Sequence, residues 1–178
     1  DESLLEKFGT VQAEIMASGA DLKPVALENL HLTLRFLGEI PRPTVEAVIR
    51  ELAKISFKPF RVKFEGIGAF PNMHRPRVVW VGVSEGAEQL KELASQVESS
   101  VGKVGLRPDP KGFTPHLTLA RVRSPRSLNR LSEALKRLSS VEVGEMLVDR
   151  VRLKRSVLTP KGPVYSNLYE VKAVEQRP

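Results

Sequence analysis

An α+β fold of two antiparallel-rich sheets facing a central cleft, with helices on the outside, is the prediction for this chain, and three observations carry it. Apolar residues recur at helical spacing in four separated segments. Between them lie short runs with strand-type alternation, joined by turns rich in Gly and Pro. The same grammar, a short strand bearing a histidine followed by a helix and two more strands, runs through the chain twice. Residues 1–178 are therefore read as a single domain of two pseudo-symmetric lobes, with the second motif beginning near residue 113.

The elements follow in order. Ser3-Leu4-Leu5-Glu6 has the form of a capping box, and Leu4, Phe8, Val11 and Ile15 continue at helical spacing until Gly19 supplies a stop. Leu30 to Leu37 alternates, closes at Gly38 and is too short for a helix, so a strand is expected there. Pro43 suits a first helical turn, and Val45, Val48, Ile49 and Leu52 give the helix after it an apolar stripe. Phe60, Val62 and Phe64 alternate with Arg61, Lys63 and Glu65, and Val78 to Val83 around Trp80 reads as a buried strand. Leu90, Leu93, Ala94 and Val97 mark a third helix. Gly102 to Gly112 is then a Gly-, Pro- and Lys-rich loop and the best internal boundary. Beyond it come a strand over Pro115–Val122, a helix through Leu128, Leu131, Leu135 and Leu138, and strands from about Asp149 to Leu158 and Val164 to Val174. The stiff, basic turn Thr159-Pro160-Lys161-Gly162-Pro163 closes the last two into a hairpin.

Composition narrows the chemistry. With 178 residues, 41% of them hydrophobic and 28% charged, the chain has the makings of a soluble globular core. No run approaches the ~18 consecutive apolar residues of a membrane span. The absence of cysteine excludes disulfides, thiolate nucleophiles and cysteine-based zinc sites, so any catalysis rests on His, carboxylate, hydroxyl or Lys/Arg. Twenty-eight Lys and Arg against 21 Asp and Glu leave a net charge of +7, which favours a polyanionic partner. No targeting or lipidation motif is evident, so a cytoplasmic location is expected, with a monomer as the default.

His31-Leu32-Thr33-Leu34 and His116-Leu117-Thr118-Leu119 are the same tetrapeptide at corresponding positions of the two halves. The chain has three histidines and six threonines. Two of three histidines followed at the second position by Thr would arise by chance on the order of once in several hundred. In a strand, residues two apart share a face and lie about 6.6–6.8 Å apart along the chain, so each imidazole and its hydroxyl are presented together while the leucines enter the core. Imidazole titrates near neutrality, so one of a pair can accept a proton while the other donates one. That is what phosphoester hydrolysis asks of its catalysts: removal of a proton from water and delivery of one to the leaving oxygen. The hydroxyls of Thr33 and Thr118 suit the non-bridging oxygens of a phosphoryl group. A single His on an apolar strand is more often structural; the matched pair reverses that. Neither His has Asp or Glu at ligand spacing beside it, so no metal is expected.

Arg121 and Lys161 are candidates for phosphate contact, Arg as a fork and Lys as a point charge, with plain surface charge the alternative. Arg35 and Arg123 also flank the motifs. Phe36, Phe113 and Tyr165 could stack on a base or belong to the core. His74, in Pro71-Asn72-Met73-His74-Arg75-Pro76-Arg77, reads as a solvated loop residue.

At these residues the chain resembles the 2H phosphoesterases, and more narrowly the RNA 2′,3′-cyclic phosphodiesterases also known as 2′-5′ RNA ligases. The resemblance runs through Glu28 to Gly38, Gly66-Ile67-Gly68-Ala69-Phe70-Pro71, Pro115 to Val122, and Leu158 to Tyr165. It implies a bilobal α+β fold and metal-independent hydrolysis of a terminal 2′,3′-cyclic phosphate to a 2′-phosphate, with no cofactor. By match to the first motif, His31 would protonate the leaving 3′ oxygen; by match to the second, His116 would activate the water. Enzymes of this kind are also similar in being able to join RNA halves, tRNA halves among them, through 2′-5′ linkages. Family members usually carry a short apolar strand ahead of the first helix; Asp1 stands where that strand has ended, so its truncation or disorder is expected. Two other readings stand beside this one. One is a 2H phosphodiesterase for a 2′-5′ oligonucleotide or a small cyclic phosphate; the other is a non-catalytic module that grips RNA ends.

Overall fold

Leu4, Phe8, Val11 and Ile15 are spaced to share one side of a helix. In the computed structural model, which describes residues 1–175, they are the buried side of α1 (Glu2–Met16). The cap differs from the expected capping box. Asp1 is the N-cap, and its carboxylate accepts the Ser3 N–H at 2.9 Å. A carboxylate there also meets the positive end of the helix dipole, which the Ser3 hydroxyl could not do.

The chain divides into two compact units, each assembled from three separated segments. The first comprises Asp1–Thr33, Arg61–Ala87 and Pro115–Met146; the second comprises Leu34–Phe60, Glu88–Thr114 and the chain from Leu147 onward. Both units draw on each half of the sequence.

A five-stranded sheet is built from β1 (Leu22–Pro24), β2 (Phe60–Phe70), β3 (Val78–Glu85), β4 (His116–Val122) and β5 (Glu142–Val148), in the order β1-β4-β3-β2-β5. β4 is antiparallel to both β1 and β3, and β3 to β2. One face is dry: Val62, Phe64, Ile67, Ala69, Val79, Val81, Leu117 and Leu119 are buried on it. Phe8 of α1 meets Phe64 edge-on at 5.2 Å, and α1 also contacts β4 and α4 (Leu128–Arg137), whose Leu131 and Leu135 are fully buried. Each such side chain contributes ~1.5–3 kcal/mol of transfer free energy, so this face anchors the unit. A register shift between Phe64 and Ile67, with Gly66 at φ +82°, switches which residues of β2 point inward. Gly68 and Phe70 therefore lie on the face opposite the core.

The second unit holds α2 (Arg42–Leu52), most of α3 (Ala87–Lys103), and a hairpin of β6 (Arg150–Thr159) and β7 (Gly162–Lys172). Pro43 lies in the first turn of α2, as its fixed φ favours. Val48 and Leu52 of α2 and Leu90, Leu93, Val97 and Val101 of α3 are buried. Pro160 and Lys161 are the two turn residues between the paired Thr159 and Gly162.

The α+β class and the antiparallel pairing agree with expectation, but the two sheets are unequal, five strands against two. Residues 30–37 are not a strand. After β1 takes its place beside β4, the chain turns out through a 3-10 turn at Leu27–Asn29 and rejoins β4 only by an isolated bridge, Leu32 to Leu117. After Thr33 it passes into the other unit, where Leu34 to Leu37 pair with no strand. β5 was not anticipated, because its alternation carries Glu142 and Glu145 and its hydrophobics are modest. Among the described residues no helix is long and apolar enough to cross a membrane.

Candidate active site

The geometry of the two His-x-Thr motifs follows from one backbone contact. Leu117 and Leu119 of β4 are buried in the core, so His116 and Thr118 lie on the opposite face. The Leu32–Leu117 bridge is antiparallel, which puts His31 across from Thr118 and Thr33 across from His116. All four side chains thus share one face of one sheet. The two histidines are diagonal neighbours, for which about 7–8 Å between Cα atoms is usual and within bridging reach of long side chains. Both belong to the first unit, His31 in its first chain segment and His116 in its third.

The two imidazoles are held differently. His31 is exposed, and its Nδ1 lies 2.6 Å from the Asn29 carbonyl oxygen. A carbonyl only accepts, so Nδ1 carries a proton and donates it to Asn29. His116 is half-buried against two aromatic rings, with Phe70 at 5.0 Å and 84° and Trp80 at 6.2 Å and 62° between ring planes. Phe70 and Trp80 in turn lie 5.1 Å apart. Trp80 pairs with Thr118 on one side and Gly68 on the other, while Gly82 pairs with His116. A Cβ on Gly68 would lie 2.3 Å from the indole, so the missing side chain is the space the ring occupies. The indole Nε1 is buried with no hydrogen-bond partner among the described residues. Packing therefore holds this ring in place. The aromatic wall of Phe70 and Trp80 was not legible in the sequence; the available signal was Gly68 two residues before Phe70 and Gly82 two residues after Trp80.

Arg121 reaches the same face because β4 is irregular. Val79 pairs with Ala120 but Trp80 with Thr118, so one extra residue is inserted at Leu119. Strict alternation would have put Arg121 on the leucine face. The bulge instead sets it opposite Val78 and Lys23, exposed and on the histidine side. Gln12 of α1 holds this bulge. It is 9% exposed, and its side-chain amide donates to the Leu119 carbonyl at 2.9 Å and to the Val25 carbonyl at 2.8 Å; the Val25 N–H also donates to Leu119 at 2.8 Å. One glutamine thus fastens the bulge to the root of the arm that carries His31. Replacing Gln12 by Ala takes one donor from each carbonyl, leaving the Val25 N–H on Leu119, and opens a small void, so unfolding in denaturant should show a loss of about 1–3 kcal/mol. A loss under ~0.5 kcal/mol would reject this role.

The remaining candidates lie elsewhere. Lys161 sits exposed in the β6–β7 turn and belongs to the second unit, not to the sheet that carries the histidines. Arg123 is exposed just past β4, its N–H donating to Asp21 at 2.8 Å. Arg35, with a 12% exposed side chain, is a clamp of the second unit: Nε donates to Glu98 of α3 at 2.8 Å, Nη1 to the Phe36 carbonyl at 2.7 Å, and Nη2 to the Arg107 carbonyl. Phe36 is 75% exposed, Phe113 is half-buried and lines a shallow pocket with Leu34, Arg35 and Ala94, and Tyr165 lies beneath Lys154 on the hairpin. His74 is exposed in its loop, as read from sequence. No group of three or more His, Asp or Glu suited to a metal ion occurs among the described residues.

A sheet face that pairs two imidazoles with two hydroxyls is the equipment of a phosphoesterase. The chain belongs to the LigT-like phosphoesterase family, whose model matches residues 1–80 and again residues 81–165. The 2H resemblance noted in the sequence is thereby borne out. An RNA 2′,3′-cyclic phosphodiesterase of Aeropyrum pernix is 42% identical over 170 residues, covering 96% of this chain and 97% of the relative. A protein of the same name from Archaeoglobus fulgidus is 43% identical over 168 residues, covering 94% and 93%. The crystal structure of a Thermus thermophilus protein superposes with a TM-score of 0.77 at 33% identity, covering 97% of this chain and 92% of that one. Escherichia coli LigT, at 24% identity and a TM-score of 0.74, shares the fold over 98% of this chain and 93% of its own.

Proposed function

We propose that this chain opens the 2′,3′-cyclic phosphate at the end of an RNA, leaving a 2′-phosphate, by general acid–base catalysis between His31 and His116 without a metal. The single observation that carries the reading is the Leu32–Leu117 register, which gathers both His-x-Thr pairs onto one face. The names of the Aeropyrum and Archaeoglobus relatives support RNA as the substrate class. In this reading His116 takes a proton from water as the water oxygen bonds to phosphorus. The bond from phosphorus to the 3′ oxygen breaks, and His31, its Nδ1 committed to Asn29, delivers a proton from Nε2 to that oxygen. Thr33 and Thr118 donate to the non-bridging oxygens, and Arg121 offsets their charge. A 5′-hydroxyl in place of water would yield a 2′-5′ linkage between RNA halves, tRNA halves included. The two motifs are the matching parts of a pseudo-symmetric duplication, working as a cytoplasmic monomer.

The test is incubation with an RNA ending in 2′,3′-cyclic phosphate, with and without chelator, followed by identification of the hydroxyl that keeps the phosphate. A 2′-phosphate formed at the same rate in chelator is the expected result. A 3′-phosphate, or loss of activity on chelation, would overturn the proposal. Binding of the RNA end without turnover would favour the non-catalytic reading, and faster opening of a cyclic mononucleotide than of RNA would favour a small-molecule substrate.

A further inference from the structure

The β6–β7 hairpin carries charge and apolar surface that the chemistry above leaves unused. Between Asp149 and Lys172 it bears Arg150, Arg152, Lys154, Arg155, Lys161 and Lys172 against two carboxylates, a surplus of four of the chain's seven net positive charges. Both carboxylates are at its base. Asp149 pairs with Arg150 at 2.8 Å, and Glu170 pairs with Arg152 at 2.8 Å and Arg150 at 3.7 Å. The hydrogen bond from Arg152 holds the Glu170 carboxyl below its ordinary range. The distal half is different. Lys154, Arg155 and Lys161 are exposed and take part in no ion pair among the described residues.

Aromatic and aliphatic surface is interleaved with these cations. By strand register Lys154, Ser156 and Leu158 share one side of the ribbon with Tyr165, and the Lys154 ammonium stands 5.7 Å above the Tyr165 ring. Leu158 is 84% exposed, and Val157 and Val164 are exposed on the other side beside Arg155. A purely solvated hairpin would have no use for such apolar residues at its tip, and a protein-docking hairpin would not surround them with unpaired cations. Cations that track a backbone, set among a ring and aliphatic groups on which bases rest, are the chemistry of single-stranded nucleic acid binding.

We infer that the distal β6–β7 ribbon binds a single-stranded stretch of the RNA whose end is processed, with Lys154 and Arg155 on phosphates and Tyr165 against a base. The inference rests on the proposed RNA substrate and extends it: it assigns recognition to the body of the strand as well as to its end. The intact chain would then prefer an oligoribonucleotide to a cyclic mononucleotide, and its affinity would fall with salt.

The experiment measures binding of a labelled single-stranded oligoribonucleotide across a salt series, for the intact chain, for Lys154→Ala with Arg155→Ala, and for Tyr165→Leu. Removing two phosphate contacts should lower the slope of log affinity against log salt by about 1.4, at ~0.7 for each contact on a single strand. Tyr165→Leu should weaken binding about tenfold with little change of slope. In parallel, the ratio of kcat/KM on a cyclic-phosphate oligonucleotide to that on a cyclic mononucleotide should fall about tenfold in the double variant. Unchanged slope and ratio in folded variants, or binding of a polyglutamate peptide as tight as that of RNA, would overturn the inference. If the intact chain opens no cyclic phosphate while the ribbon variants still lose RNA, the active-site reading fails and the ribbon assignment stands. If opening is normal and the ribbon variants bind RNA like the intact chain, only the ribbon assignment fails.

Discussion

His31→Ala and His116→Ala are each expected to slow cyclic phosphate opening by about 10²–10⁴-fold, the usual worth of a positioned proton donor or acceptor. Their pH profiles should differ in kind. In the intact chain a base that must be free and an acid that must be charged give a bell. Without the base His116, the acid limb of the bell disappears; without the acid His31, the alkaline limb does. The double variant should fall little below the worse single one, because the two act in one displacement. Stability separates this from unfolding. His31 is exposed, so its removal should leave the melting temperature almost unchanged, whereas His116→Ala forfeits ring contacts to Phe70 and Trp80 worth about 0.5–1.5 kcal/mol. Activity within threefold of the intact chain in either single variant, or a bell that keeps both limbs, would sink the assignment.

How much of this was legible in advance depended on whether a feature was local. The four helices declared themselves because their apolar stripes repeat within a few residues, as Leu90, Leu93 and Val97 do on α3. The face shared by His116 and Thr118 was also legible, since strand parity is a local property. Register was not. That His31 stands across from Thr118 depends on a bridge between residues far apart in sequence, and a one-residue slip would send the first motif to the other face. Arg121 illustrates the same limit from another side. Counted by twos from His116 it belongs with the leucines, and only the bulge, held by Gln12 from α1, returns it to the histidines. The 30–37 segment misled for a related reason: its alternation was strand-like, but a strand needs a neighbour, and this segment makes only the single Leu32–Leu117 bridge. The role of Arg35 stayed open because nothing near it in sequence announces Glu98 or the Arg107 carbonyl.

Gly68→Ala is the second substitution expected to have a large effect, and it touches neither the substrate nor a proton. Gly68 does not need glycine for its backbone, since it is not among the positive-φ residues; it needs glycine for space. The added Cβ would lie 2.3, 2.4 and 2.8 Å from three carbons of the Trp80 indole. The ring has little room to retreat. The Phe70 ring stands 5.1 Å from it, centroid to centroid, and closes one way out. It must therefore swing off the sheet, on the face where His116 packs against it. Overpacking of this kind costs about 1–3 kcal/mol, and a displacement of the imidazole by ~1 Å is enough to lower kcat about 10²-fold. The two effects have a common cause, so trimming the ring should relieve both: Gly68→Ala combined with Trp80→Leu should be more stable than Gly68→Ala alone, a coupling that a thermodynamic cycle measures directly. Gly102→Ala is the contrast, because a Cβ there meets nothing within 4 Å and lies in α3, where Ala is the better helix former by about 0.5–1 kcal/mol. Additive costs in the Gly68–Trp80 cycle, or a Gly68→Ala chain as active and as stable as the parent, would show that the indole is not what positions His116.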